Sequence, residues 1–319
     1  MKIVILERNS AGLDIPMEPF YRLGEVTEYA NTVTDQAAER IRDAEIIVAN
    51  KVRLNEETLK DAPNVKLICL FATGYDNVDL KYCSRRGIKV ANVRNYCTPA
   101  VAQHTFTMAL WLLEKMSFYD NYVKSGTYGA QDRFSNFDEP FYELEGKTWG
   151  IIGMGGIGHK VASIAKAFGC HVIFYSASGQ STCTEYERVE FDELLHRSDI
   201  LSLHCPLSDR TRNLIDLTAL RKMKKSAILI NVARGPVVNN ADLYTALEEG
   251  SIAAAGLDVL EQEPITADNP LGKIKDSTKL IITPHMSWAS TESRFRLIEE
   301  TAKNIEAFLK GEDRNIVNA

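Results

Sequence analysis

The sequence predicts an α/β protein with two domains, each built around a parallel sheet, and one domain inserted into the other. Three observations predict this class. Strand-length apolar runs alternate with amphipathic stretches along almost the whole chain. The strand candidates are nearly continuously apolar, as in parallel sheets that are covered on both faces. A glycine-rich loop joins a strand to a helix near the middle of the chain.

The first part of the chain contains five strand candidates separated by stretches of helical character. The strands are predicted at Lys2–Leu6, Glu25–Tyr29, Glu45–Ala49, Val65–Phe71 and Ile88–Ala91. The helices between them are predicted at Thr34–Asp43, Asn55–Lys60 and Asp79–Arg86. Regular alternation of this kind favours parallel pairing, because a parallel neighbour needs a crossover connection.

The second part of the chain repeats the alternation with longer apolar runs. Its strands are predicted at Thr148–Ile152, His171–Tyr175, Ile200–His204, Ala227–Val232, Ala253–Asp258 and Leu280–Thr283. Its helices are predicted at Ile157–Phe168, Asp192–His196, Thr218–Met223 and Ala241–Glu249. These units predict a second parallel sheet with helices on both faces.

Two further helices mark the joints between the domains. Thr98 can cap a helix that has Pro99 at its first position and runs to Met116. Ser290 can cap the final helix, which ends before Gly311. We therefore predict one domain from residues 1–97 plus 290–319 and a second from residues 98–289. The stretch Asn121–Gly146 has little periodicity, so we expect an extended arm that contacts another subunit.

Composition narrows the class of function. The net charge of −6 gives no basic footprint for nucleic acid. Charged residues interrupt every apolar run, and the N-terminus lacks the pattern of a signal peptide. The six cysteines have neither paired spacing nor metal-ligand spacing, so we expect reduced thiols and no metal site. We expect a cytoplasmic protein that binds neither membrane nor nucleic acid.

The glycine loop is the first motif that carries chemistry. The segment Gly153-Met154-Gly155-Gly156-Ile157-Gly158 follows a predicted strand and opens a predicted helix. In a dinucleotide-binding loop, the first glycine permits a tight turn, the second lets backbone approach a pyrophosphate, and the third allows close packing of the helix. The free N–H groups of the helix N-terminus then attract phosphate. We expect this loop to bind a dinucleotide.

The residue after the next strand bears on the choice of cofactor. An acidic residue there binds the ribose hydroxyls of NAD, but this chain has Ser176. Residues 177–187 contain no Lys or Arg that could attract the 2′-phosphate of NADP. We expect NAD to be preferred, and NADP stays open as the alternative.

Three residues follow predicted strands of the second domain and suit the reduction of a 2-oxo acid. Arg234 offers a planar fork for a carboxylate. His285 titrates near neutral pH and can exchange a proton with the ketone oxygen. Glu263 can orient the imidazole and favour its charged form. Because ligands of open α/β sheets bind beyond the carboxyl ends of the strands, we expect these residues to form the catalytic site.

These segments resemble the D-isomer-specific 2-hydroxyacid dehydrogenase family over nearly the whole chain. Further matching stretches are Thr73–Asp79, Asn92–Tyr96 and Val101–Thr105. The resemblance implies two Rossmann-like or flavodoxin-like domains, the cofactor domain being inserted in the substrate domain. It implies Arg234, Glu263 and His285 as catalytic residues. It also implies nicotinamide or ribose contacts from Cys205, Pro206, Thr211, Val232, Ala233, Arg234 and Asp258.

The same resemblance implies the substrate contacts. Backbone amides at Thr73 and Gly74 would hold the substrate carboxylate, and Tyr96 would close the pocket. The stretch Thr283–Ser290 is most similar to the hydroxypyruvate reductase (glycerate dehydrogenase) branch, which makes hydroxypyruvate or glyoxylate the leading substrate. Larger 2-oxo acids stay open. The family is also similar to dinucleotide-sensing corepressors, so a binding protein of the same fold is the alternative function. We expect a homodimer.

Overall fold

The computed structural model describes residues 1–318, which divide into two compact units. The first unit contains residues 1–97 and 289–318, and the second contains residues 98–288. None of the helices in residues 1–318 combines the length and the apolar composition that a membrane crossing requires.

The first unit is built around a five-stranded parallel sheet. Its strands are β1 (Lys2–Ile5), β2 (Glu25–Glu28), β3 (Ile46–Ala49), β4 (Leu67–Leu70) and β5 (Lys89–Ala91). The helices between them are α1 (Glu18–Tyr21), α2 (Thr34–Arg40), α3 (Glu56–Leu59) and α4 (Leu80–Arg85). The strand order β2-β1-β3-β4-β5 is that of flavodoxin-like folds. Every residue of β3 and β4 is buried, as expected for central strands that are covered on both faces.

The second unit is built around a seven-stranded parallel sheet. Its strands are β6 (Thr148–Ile152), β7 (His171–Tyr175), β8 (Glu187–Arg188), β9 (Ile200–Leu203), β10 (Ile228–Asn231), β11 (Ala254–Leu257) and β12 (Leu280–Ile282). Its helices are α5 (Thr98–Leu113), α6 (Met116–Lys124), α7 (Thr127–Ala130), α8 (Gly156–Ala167), α9 (Phe191–Arg197), α10 (Leu217–Lys222) and α11 (Asn240–Glu249). The order β8-β7-β6-β9-β10-β11-β12 is the doubly wound order of Rossmann folds, with one strand added. The predicted fold class is confirmed.

The last helix, α12 (Thr291–Leu309), returns to the first unit. The side chain of Ser290 accepts a hydrogen bond from the Ser293 amide, so Ser290 caps α12 as predicted. Gly311 has φ +77°, the left-handed conformation that ends many helices. Helix α12 packs against β4 and α1.

Helix α5 covers the second sheet through an aromatic stack. Phe106 lies on Trp149 of β6 with ring centroids 4.4 Å apart, and on Phe168 at 5.6 Å. Trp149 is fully buried, and its indole N–H donates to Ser202 Oγ at 2.9 Å. The polar end of this large apolar side chain is therefore satisfied inside the core.

The structure differs from the sequence prediction in the segment after α5. Helix α5 ends at Leu113 rather than Met116, because Lys115 adopts a left-handed conformation with φ +52°. Part of the expected arm is helical, since α6 and α7 occupy residues 116–124 and 127–130. Neither helix contains a buried residue, which explains why the sequence showed no apolar period there.

Candidate active site

The predicted residues of the second unit lie along one edge of its sheet, because the strands are parallel and their carboxyl ends point the same way. Backbone hydrogen bonds join the successive loops at this edge. The amide of His204 donates to Ile152 O at 2.8 Å, and that of Asp258 donates to Asn231 O at 2.9 Å. The amide of Thr283 donates to Leu257 O at 2.8 Å. Strands β9 and β10 pair with Leu203 opposite Asn231, so the loops after β6, β9, β10, β11 and β12 lie side by side in one row.

The glycine loop between β6 and α8 requires glycine at two of its positions. Gly153 has φ +97°, and a Cβ there would lie 2.8 Å from the backbone N of Cys205. A Cβ on Gly158 would lie 2.2 Å from the carbonyl oxygen of Gly153. A Cβ on Gly155 would meet no atom within 4 Å. The first and last glycines therefore serve the fold, whereas Gly155 borders open space.

The backbone donors of this loop are available to a ligand. Within residues 1–318, the amides of Gly155, Gly156 and Ile157 donate to no protein acceptor. Helix α8 begins at Gly156 without a side-chain cap and has no acidic residue in its first turn. A row of amides at a helix N-terminus fits the pyrophosphate of a dinucleotide.

A pocket of about 490 Å³ adjoins the loop. Its lining residues are Met154, His159, Gln180, Ser181, Thr182, Cys183, Thr184 and Glu185. The lining therefore contains hydroxyl groups and one carboxylate but neither Lys nor Arg. Ser176 is 6% exposed, and its Oγ accepts the Ser181 amide at 3.3 Å, which closes the turn at the edge of the pocket.

The loop after β9 carries Cys205, Pro206 and Thr211. Burial raises the pKa of the Cys205 thiol to about 11, so the thiol stays protonated at neutral pH. The Thr211 hydroxyl donates to Pro206 O at 2.7 Å and accepts the Ser208 amide at 2.8 Å. Thr211 therefore shapes the loop that carries Pro206.

The side chain of Asn231, at the end of β10, holds the turn that carries Arg234. Asn231 Oδ1 accepts the amide of Ala233 at 3.0 Å, and its Nδ2 donates to Arg234 O at 3.0 Å. Val232 and Ala233 are buried, whereas Arg234 is half-buried and donates from Nη1 to Ala233 O at 2.8 Å. The backbone from which the Arg234 side chain extends is therefore held in place by Asn231.

The backbone of Leu260 lies between Gly235, the neighbour of Arg234, and the side chain of Glu263. A Cβ on Gly235, next to Arg234, would lie 1.7 Å from Leu260 O, so this backbone approach requires glycine. On the other side, the amide of Leu260 donates to Glu263 Oε1 at 2.9 Å. The two predicted catalytic residues thus flank a single peptide segment.

Glu263 and His285 form a direct pair. Glu263 Oε2 lies 2.6 Å from His285 Nδ1. Because the carboxylate accepts, Nδ1 carries a proton and Nε2 is the ring nitrogen left for proton exchange. His285 has φ +53°, and the indole N–H of Trp288 donates to its carbonyl at 3.0 Å. Asp258, which is 1% exposed, binds the same turn through its carboxylate.

The predicted substrate residues lie after β4 and β5 in the first unit. Within residues 1–318, the amides of Thr73 and Gly74 donate to no protein acceptor. The buried side chain of Asn92 donates to Thr73 O at 2.6 Å, and Thr73 Oγ1 donates to Val93 O at 2.8 Å. These bonds tie the segment that carries the two amides. Tyr96 is 6% exposed, and its carbonyl accepts from Arg296 Nε at 2.8 Å.

Sequence reasoning missed Asn231, Gly235, Thr283 and His104. Asn231 ends the otherwise apolar strand Ile228–Asn231, and this polar residue at a strand end was the available signal. Gly235 directly follows Arg234, but nothing in the sequence shows which backbone approaches it. Thr283 and His104 contact each other at 3.0 Å across 179 positions of sequence, a pairing that only the fold reveals.

Comparisons with known proteins match this arrangement. Residues 106–287 match the family model described as D-isomer specific 2-hydroxyacid dehydrogenase, NAD binding domain. The chain is 39% identical to a hydroxypyruvate reductase of Blautia hydrogenotrophica, with 100% of both chains covered. It is 40% identical to a glycerate dehydrogenase of Methylorubrum extorquens, covering 100% of this chain and 99% of the relative.

Among solved structures, the chain is similar to the D-lactate dehydrogenase of Aquifex aeolicus in complex with NAD and lactic acid. The TM-score is 0.87 at 31% identity, with 100% of this chain and 99% of the other covered. The similarity therefore extends over both units and both sheets.

Proposed function

Because the chain belongs to the D-isomer-specific 2-hydroxyacid dehydrogenase family, and is thus an NAD-dependent oxidoreductase of D-2-hydroxy acids, we propose hydroxypyruvate or glyoxylate as its 2-oxo acid. The full-length match to a hydroxypyruvate reductase and a glycerate dehydrogenase carries the choice of substrate. The His285–Glu263 pair at 2.6 Å supports the assigned proton chemistry.

His285 is the proposed proton carrier. Its Nδ1 is committed to Glu263, so Nε2 gives a proton to the ketone oxygen during reduction and takes it back during oxidation. Glu263 is itself fixed by the Leu260 amide, which limits the orientations of the carboxylate and therefore of the ring. When bound, the nicotinamide supplies the hydride for carbon 2 of the substrate.

Arg234 is the proposed anchor of the substrate carboxylate in the second unit. A guanidinium presents two parallel donors to a carboxylate, which fixes its orientation as well as its position. The Asn231 bonds and the Gly235–Leu260 approach hold the backbone of Arg234 in place. Orientation of this kind reduces the entropy that the reaction must lose.

We assign the first unit, predicted as residues 1–97 plus 290–319, to substrate binding, through the amides of Thr73 and Gly74 and the ring of Tyr96. The unpaired state of both amides within residues 1–318 supports this assignment. We assign residues 98–289 to dinucleotide binding.

We propose that the cofactor binds at the glycine loop and along the loops that follow β7, β9, β10 and β11. The amides of Gly155, Gly156 and Ile157 hold the pyrophosphate, while Gly153 and Gly158 shape the loop. Ser176 and the adjoining pocket receive the adenosine ribose. The remainder of the dinucleotide is surrounded by Cys205, Pro206, Thr211, Val232, Ala233 and Asp258. Because the pocket lining contains Glu185 and no Lys or Arg, NADH is favoured over NADPH.

The decisive experiment is turnover of a panel of 2-oxo acids by the purified protein, with NADH and with NADPH. The panel contains hydroxypyruvate, glyoxylate, pyruvate, phenylpyruvate and a branched 2-oxo acid. We expect the highest kcat/KM for hydroxypyruvate or glyoxylate with NADH. A preference for phenylpyruvate or a branched acid would overturn the substrate. Binding of NADH without turnover of any panel member would instead favour a dinucleotide-sensing protein.

We also propose that the protein is a cytoplasmic homodimer. Large apolar side chains are exposed along residues 116–142 of the second unit, including Phe134 at 92% and Phe137 at 75%. Exposed aromatic side chains concentrated in one segment mark an interaction surface, here for a second copy of the chain. All six cysteines are free, which suits a reducing compartment. Light scattering should give a dimer mass for the wild type and a monomer mass for a Phe134→Ser, Phe137→Ser variant.

A further inference from the structure

The turn that carries His285 has an unusual backbone. His285 is not glycine, yet its φ of +53° lies in the left-handed region that residues with side chains rarely adopt. Such conformations persist where the surrounding structure holds them and are frequent at functional sites. The residues that hold this turn are therefore of interest for turnover.

Asp258 binds three successive amides of the turn. Its carbonyl accepts the His285 amide at 2.8 Å. Its Oδ1 accepts the Met286 amide at 2.8 Å, and its Oδ2 accepts the Ser287 amide at 2.9 Å. The carboxylate is 1% exposed, so hydrogen bonds rather than water satisfy it.

Thr283 and His104 complete the surroundings of this carboxylate. The Thr283 hydroxyl donates to Asp258 Oδ1 at 2.6 Å, and His104 Nε2 lies 3.0 Å from the same hydroxyl. A hydroxyl has one proton, which Thr283 already gives to Asp258. His104 Nε2 must therefore carry a proton and donate to Thr283. Burial lowers the pKa of His104, although Asp258 at 3.7 Å opposes this, so the neutral ring is favoured.

We infer that Thr283 and His104 are positioning residues for the reaction, and that they act on His285 through the Asp258 carboxylate. The inference rests on the proposed function, in which His285 carries the proton. Donation runs from His104 on α5 through Thr283 to Asp258, which then holds the amides of the catalytic turn. Loss of a donor leaves Asp258 Oδ1 with fewer partners and lets the turn, and with it the His285 ring, take more than one orientation.

The test compares matched variants of the full-length protein. Thr283→Val removes the hydroxyl at similar volume, and Thr283→Ser keeps it. His104→Phe removes the ring N–H, and His104→Gln keeps an N–H donor. Thr107→Val is the control, because the Thr107 hydroxyl is exposed on the same helix and bonds Gln103 O. For each variant we would measure kcat, KM for the oxo acid, the Kd of NADH by fluorescence titration and the thermal midpoint.

Thr283→Val should lower kcat by roughly ten- to a hundredfold, the size expected for a small misplacement of a reacting group. The Kd of NADH should change much less than kcat, by about twofold or well below 1 kcal/mol, because Thr283 is linked to the proposed cofactor residues only through Asp258 and the glycine loop is untouched. Thr283→Ser should recover most of the rate, and His104→Phe should lose more than His104→Gln. A wild-type kcat in Thr283→Val, or weaker NADH binding with an unchanged kcat, would overturn the inference.

A second readout needs no turnover. In the protein without cofactor, the His285 Hε1 proton should give one NMR signal in the wild type and in Thr107→Val, and a broadened or doubled signal in Thr283→Val. If Thr283→Val does not fold, the same signal is compared between His104→Phe, where we expect broadening or doubling, and His104→Gln, where we expect less of it. If the wild type turned over no 2-oxo acid, the proposed function would be wrong. If the Hε1 signal stayed single and unchanged in all variants, Thr283 and His104 would not be positioning residues.

Discussion

Two turns at the same edge of the second sheet use their backbone amides in opposite ways. In the glycine loop, the amides of Gly155, Gly156 and Ile157 donate to no acceptor within residues 1–318. In the His285 turn, three successive amides donate to Asp258. Each turn contains a residue with positive φ, Gly153 in one and His285 in the other.

The difference shows what each turn can position. Unpaired amides beside open space can donate hydrogen bonds to an anionic ligand, so the backbone of the glycine loop can bind such a ligand directly. Amides that a buried carboxylate already occupies cannot do so, but they fix the direction of a side chain. In the proposed function one turn therefore serves cofactor binding and the other serves turnover, and variants of each should separate the two.

The largest separation is expected from His285→Ala. General acid–base groups typically contribute about 10²–10⁴-fold, so kcat should fall by this factor. The Kd of NADH, measured by fluorescence titration, should stay close to that of the wild type because the glycine loop is untouched. Near-normal turnover in this variant would remove His285 from the proposed mechanism.

His204, which lies beside the glycine loop, should make the stability of the protein depend on pH. Gly153 packs against His204, and burial lowers the pKa of that imidazole to about 3. As pH falls below about 6.5, the unfolded chain binds a proton that the folded chain refuses, so stability decreases. The loss is up to about 1.4 kcal/mol for each unit of pH until pH approaches 3.

Urea unfolding of the wild type and of His204→Gln measures this loss. The variant keeps a polar group toward Ser202 Oγ, which lies 3.0 Å from His204 Nε2, but it does not titrate. As pH falls from 7 to 5, the free energy of unfolding of the wild type should decrease more than that of His204→Gln. A difference that is independent of pH would show that His204 titrates alike in both states.

Gly155→Ala should affect binding and leave the fold intact. Gly155 has φ −87°, which alanine adopts readily, and its Cβ would point into open space. If that space receives the pyrophosphate, the Kd of NADH should rise by roughly 10–100-fold, as for the loss of one hydrogen bond to a charged group. Gly129→Ala is the matched control, since Gly129 also borders open space but lies in α7. Equal Kd values in both variants would place the pyrophosphate elsewhere.

The smallest effect is expected from Ser176→Asp. An aspartate at this position would repel the 2′-phosphate of NADPH and accept the ribose hydroxyls of NADH. We expect the KM for NADPH to rise several-fold while that for NADH changes little. Ser178→Asp carries the same charge two residues further along the chain and controls for charge alone. Equal cofactor preference in the two variants would contradict a specific role for position 176.

The sequence was sufficient for the buried strands because apolar runs report burial directly. Strands β3, β4, β9, β10 and β11 are buried throughout, and all five were expected within a few residues. Strand β8 has two exposed residues and α6 has no buried one, so neither produced an apolar pattern. Neither β8 nor α6 therefore left a signal in the single sequence, whereas β2, which also has no buried residue, was predicted.

The same limit applies to the candidate site. Arg234, Glu263 and His285 could be predicted because their chemistry suits the reaction and because each follows a strand. Asn231 and Thr283 act through hydrogen bonds to neighbouring backbone and side chains, and such bonds depend on the fold. The sequence therefore predicts the candidate catalytic groups better than the residues that position them.

The return of the chain to its first unit has a consequence for synthesis on the ribosome. Helix α12 packs on β4, and the side chain of Asn304 donates to Asn92 O at 2.9 Å. Ile316 forms a bridge with Ala91 at the edge of the first sheet. Because translation runs from the N-terminus, these contacts must wait for the end of the chain, whereas residues 98–288 emerge earlier. During translation the inserted unit can therefore complete its core while the first 97 residues still lack their last helix, and those residues are the ones that a chaperone would have to protect.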